Sequence, residues 1–137
     1  TTIQQRTGIQ LPKEYVAFLT KIGDGFEVQL QSFHYVFPPL QMVCFNPECI
    51  KKRFSHREMW LWEDDESATE QKILAATQNG QLELLDCCCG ESYRLIVCGG
   101  AKGEVWNMAE NGIVPYGDGT DFLDWINDFL DGKVIRQ

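Results

Sequence analysis

The sequence predicts an α+β fold: an antiparallel β-sheet, laid out as a meander, packed with an N-terminal, a middle and a C-terminal helix. Three observations predict it. Helical apolar spacing appears near both ends of the chain. A Ser67-Ala68-Thr69-Glu70 capping box opens a helix in the middle. Between Leu82 and Tyr116, short β-rich segments alternate with glycine-rich turns, and segments adjacent in sequence pair most simply as antiparallel neighbours.

The first helix is expected over Leu11 to Gly23, with Pro12 suited to a first turn and Gly23 to a helix end. Tyr15, Phe18, Leu19 and Ile22 then form one apolar stripe, which is read as core. Partial alternation of Phe26, Val28, Leu30, Phe33, Tyr35 and Phe37 suits one or two strands before the Pro38-Pro39 break. Asn46-Pro47 offers an N-cap and first turn for a short helix through Cys49, Ile50 and Phe54, carrying the basic run Lys51-Lys52-Arg53.

The middle helix should start at Ser67, turn Ile73, Leu74 and Thr77 inward, and end at Asn79-Gly80. The sheet follows, with segments at Leu82 to Leu85, Tyr93 to Cys98 and Gly103 to Met108. Gly112 to Tyr116 is expected as an edge strand, where Pro115 forfeits no ladder bond. Thr120 is expected to cap the last helix, in which Phe122, Leu123, Trp125, Ile126, Phe129 and Leu130 make a broad apolar stripe and Gly132 the stop.

A chain of 137 residues, 44% of them hydrophobic, suits one core, so a single domain over 1–137 is expected. Thr1 in place of Met is compatible with a trimmed N-terminus. No charge-free apolar run approaches the roughly 20 residues that span a bilayer, and no signal-type segment opens the chain. A cytoplasmic location is therefore expected.

The net charge of −8 argues against nucleic-acid and anionic-membrane surfaces, which need clustered Lys and Arg. The imbalance is uneven. Residues 58–137 hold 5 Lys or Arg against 16 Asp or Glu, whereas residues 1–57 hold 7 against 4. A basic protein partner is the expectation that follows. Of the six cysteines, Cys87, Cys88 and Cys89 are consecutive, a spacing ill suited to disulfides with one another, so reduced thiols are expected.

The order of these pieces resembles the SUKH superfamily, the Smi/Knr-type family of a yeast cell-wall assembly regulator and many bacterial immunity proteins. The resemblance is carried by Leu11-Pro12 with Tyr15, Phe18 and Leu19, and by Asn79-Gly80 with Leu82, Leu84 and Asp86. Gly90 with Tyr93 to Gly100, Gly103-Glu104-Val105-Trp106, and Phe122 to Leu130 complete it. Residues 26–58 are the least family-like part, and Cys87-Cys88-Cys89 depart from the family's glycine-rich turn. The resemblance implies an immunity protein that binds and neutralises a cognate toxin domain, often a nuclease. It brings no catalytic residues and no cofactor. The other reading it allows is a housekeeping regulatory or scaffold domain.

The candidate partner-binding residues are Trp60, Trp62, Glu63, Asp64, Asp65 and Glu66, an acidic run beside tryptophans of the kind enriched at interface hot spots. Read structurally, the run is a solvated loop before a helix N-terminus, where negative charge is favourable. A zinc site from Cys44, Cys49 and His56 with one of Cys87 to Cys89 lacks paired C-x-x-C units. Cysteine nucleophiles would need His34 or His56 as base. Gly99 to Gly103 lacks the G-K-[ST] ending of a phosphate loop, and Gly117 to Asp121 lacks the ligand alternation of a calcium loop. No enzyme and no metal are expected.

Overall fold

A computed structural model describes residues 2–30, 32–61, 67–87, 90–109 and 112–133. The elements run α1 (Thr2–Thr7), α2 (Lys13–Lys21), β1 (Phe26–Leu30), β2 (Phe33–Phe37), a 3-10 turn (Leu40–Met42), β3 (Trp60–Leu61), α3 (Ala68–Ala76), β4 (Gln81–Asp86), β5 (Ser92–Ile96), β6 (Val105–Ala109), β7 (Gly112–Pro115) and α4 (Phe122–Leu130). This is the α+β architecture expected: β4 to β7 form an antiparallel meander inside a five-stranded sheet of order β3-β7-β6-β5-β4. Strands β1 and β2 form a separate hairpin, registered Phe26 opposite Phe37 and Val28 opposite Tyr35. Helix α1 was not foreseen, since Thr2 to Thr7 lack an apolar period of their own.

Strand alternation sends successive side chains to opposite sheet faces and so builds two cores. Tyr93 and Leu95 of β5, Val105 of β6 and Leu82 and Leu85 of β4 point to the larger one, under α2, α4 and the hairpin. Aromatic rings fill it. Trp125 of α4 is fully buried, with Tyr93 at 5.3 Å and Phe129 at 5.5 Å, and Phe122 meets Tyr15 edge-to-face at 5.0 Å. The opposite face carries a smaller cluster of Phe54, Ile96, Ala101, Trp106 and Ile113.

Several local expectations change. Asn46-Pro47 begins a single turn, in which Cys49 and Ile50 donate to the Asn46 carbonyl. The chain then leaves that turn to stitch along the sheet, where Gly80 donates to the Cys49 carbonyl and Phe54 to the Cys98 carbonyl. Gly80 sits there at φ 64°, and a Cβ on it would lie 2.6 Å from the Lys52 carbonyl oxygen. Asp121 caps α4, its carboxylate accepting from the Asp124 amide at 3.0 Å, so Thr120 lies one residue too early. Ile22 is 73% exposed because α2 ends before its next turn reaches the core. Strand β7 is not an edge: β3 pairs outside it through Trp60–Ile113 and Leu61–Gly112, leaving Pro115 beyond the paired stretch.

The capping box opens α3 as expected, Ser67 Oγ accepting from the Glu70 amide at 3.4 Å. That helix buries no side chain, and only its C-cap Thr77 is enclosed.

Candidate partner-binding surface

Trp60 stands at the start of β3, on the outer edge of the large sheet. Its half-buried ring packs against the smaller core and stacks on His56, with centroids 5.6 Å apart and an interplanar angle of 25°. His56 in turn lies 5.5 Å from Phe54, which meets Trp106 at 5.0 Å. The column anchors residues 54–60 across the sheet face. His56 Nε2 is buried with no hydrogen-bond partner among the described residues, and desolvation lowers the imidazole's pKa from its ordinary value.

Trp60 is therefore partly a packing residue, while its neighbours Met59 and Leu61 project outward, 57% and 48% exposed. Trp62, Glu63, Asp64, Asp65 and Glu66 lie outside the described residues. In sequence the acidic run begins two residues after Leu61, the last residue of β3.

A polar cluster on the same side of the sheet went unread in the sequence. Arg94 Nη2 lies 3.3 Å from Glu83 Oε1, its cross-strand partner. Its Nε donates to Ser92 Oγ at 2.9 Å and its Nη1 to Gln81 Oε1 at 3.3 Å. Gln81, fully buried, donates from Nε2 to the Thr77 carbonyl. Arg94 also lines an open groove of about 530 Å³ with Cys44, Asn46, Glu48 and Gln78. Three of its nitrogens are committed to the protein's own acceptors, so the cluster fastens α3 to the sheet. The available signal was the alternation in Ser92-Tyr93-Arg94-Leu95-Ile96, which sets two polar residues on one face.

His34 sits on the outer face of the hairpin, 3.5 Å from Glu27, and His56 is held between aromatic rings. Cys44, Cys49 and Cys98 are free thiols, and Cys98 Sγ donates to the Lys51 carbonyl at 3.3 Å. Among the described residues no group of three His, Cys, Asp or Glu side chains could hold a metal ion, and no helix is long and apolar enough to cross a membrane. Cys88 and Cys89 lie outside the described residues.

Carboxylates dominate the C-terminal stretch around α4. Asp118, Asp121, Asp124, Asp128 and Asp131 follow one another from the β7–α4 turn to the end of α4, with no Lys or Arg among residues 118–131. Asp128 accepts from the Tyr116 hydroxyl at 3.0 Å, and Asp131 lies 4.0 Å from Lys133. Comparison with protein-family models, with curated proteins and with solved structures finds no match.

Proposed function

We propose that this chain is an immunity protein of the SUKH type, which neutralises a cognate toxin by direct contact and performs no catalysis of its own. The observation that carries the reading is uncompensated acidity. Residues 58–137 hold 16 Asp or Glu against 5 Lys or Arg, so this part of the chain cannot neutralise its own charge whatever pairs form within it. A field of one sign steers an oppositely charged partner and raises its association rate. A basic nucleic-acid-binding cleft, as in a nuclease toxin, is the complementary surface. The helix, strands, helix, meander and terminal helix of the resemblance support the same reading.

Co-expression with the toxin domain encoded beside this gene tests it. Growth should be rescued, and the two chains should co-purify as a stable complex. Rescue without any complex would sink the reading.

A further inference from the structure

We propose that the outward face of α4 is a docking surface for a basic amphipathic helix of a protein partner. The assignment deepens the immunity reading and rests on it. Helix α4 buries Phe122, Trp125, Ile126 and Phe129 and leaves Leu123 and Leu130 43% and 42% exposed. At about 100° per residue, Leu123 and Leu130 fall on one line along the helix, with the exposed Asn127 beside it. Asp124 and Asp131 fall on a second line, displaced around the same outward face, with Asp128 and Asp121 at its far margin. The face therefore carries an apolar row and an acidic row side by side.

That arrangement selects its occupant. The leucines are seven residues apart, about 10.5 Å at 1.5 Å per residue, the two-turn repeat that a partner helix presents along its own face. Aliphatic side chains on the partner would cover Leu123 and Leu130, while an adjoining row of Lys or Arg would meet Asp124 and Asp131. A second copy of this chain fits badly. In a twofold pair with antiparallel helices like rows meet, setting aspartate against aspartate. With parallel helices leucines meet aspartates. Both arrangements are penalised by repulsion or desolvation.

The test uses the full chain, isotopically labelled, and two synthetic 14-residue peptides of identical leucine and lysine composition. One places leucines and lysines in adjacent helical rows, and the other scrambles them. Amide shifts on adding the patterned peptide should centre on Leu123, Asp124, Asn127, Leu130 and Asp131, with the scrambled peptide at least tenfold weaker. L123Q/L130Q should weaken the patterned peptide at least tenfold, with circular dichroism unchanged since both side chains are half-exposed. D124N/D131N should weaken it several-fold and flatten its salt dependence.

Equal binding of the two peptides, shifts centred elsewhere, or indifference to the leucine substitutions would overturn the assignment. So would a concentration-dependent dimer of the chain alone that L123Q/L130Q abolishes. The two proposals fail separately. A toxin complex indifferent to L123Q/L130Q removes the docking surface and leaves immunity standing, whereas patterned-peptide binding at α4 without toxin neutralisation does the reverse.

Discussion

At the scale of single residues, His56 and Gly80 show how much the smaller core constrains. The imidazole of His56 packs between Phe54 and Trp60, where desolvation lowers its folded pKa below the unfolded value of about 6.5. The unfolded chain therefore binds a proton first as the pH falls, so this contribution to stability is present above about pH 6.5 and is lost on acidification through the folded pKa. Urea midpoints measured from pH 7.5 downward should show this loss, and H56Q should flatten the curve in that window. Gly80 is held in the left-handed region with backbone atoms of Lys52, Phe54 and Cys98 around its missing side chain. G80A should cost at least about 1–2 kcal/mol for the conformation alone and more for the contacts, read as a lowered denaturation midpoint. Asn79-Gly80 was legible as a stop signal. The crowding around it was not, because the Lys52 and Cys98 segments arrive from distant parts of the chain.

At the scale of elements, helix caps and stripes separate what packing decides from what local preference decides. D121A should lower stability by about 1 kcal/mol in chemical denaturation, with T120A costing less, because the Asp121 carboxylate takes the Asp124 amide. Both residues are good caps by type. The choice between them falls to β6, whose preceding residue Glu104 bridges to Asp121 and fixes where the helix turns in. The two later helices differ in depth. I126A should cost about 2–5 kcal/mol, since Ile126 is 3% exposed in the main core, whereas I73A on α3, which buries no side chain, should fall below that range. Denaturation of the two variants side by side checks the ranking. The period of α4 disclosed an amphipathic helix, yet it enrolled Leu123 and Leu130 in a stripe wider than the sheet and α2 can cover.

At the scale of the whole molecule, the organising quantity is charge. On the immunity reading proposed above, replacing Glu63, Asp64, Asp65 and Glu66 by their amides should slow association with the toxin and flatten its dependence on ionic strength, with little change in dissociation, as followed by stopped-flow fluorescence at several salt concentrations. Unchanged kinetics would place the contact elsewhere. Composition and period alone determined the α+β class, the meander, the two flanking helices, the α3 start at Ser67 and the acidic excess after residue 57, because each depends on neighbours within about one turn, one hairpin or a simple count. Only the tertiary structure decided that Trp60 is shared between edge and core, that Arg94 is bound to Glu83 and Gln81, and that β3 caps the sheet beyond β7. These are pairings between residues distant in sequence. Burial there depends on which segment covers which face, and no local pattern carries that information.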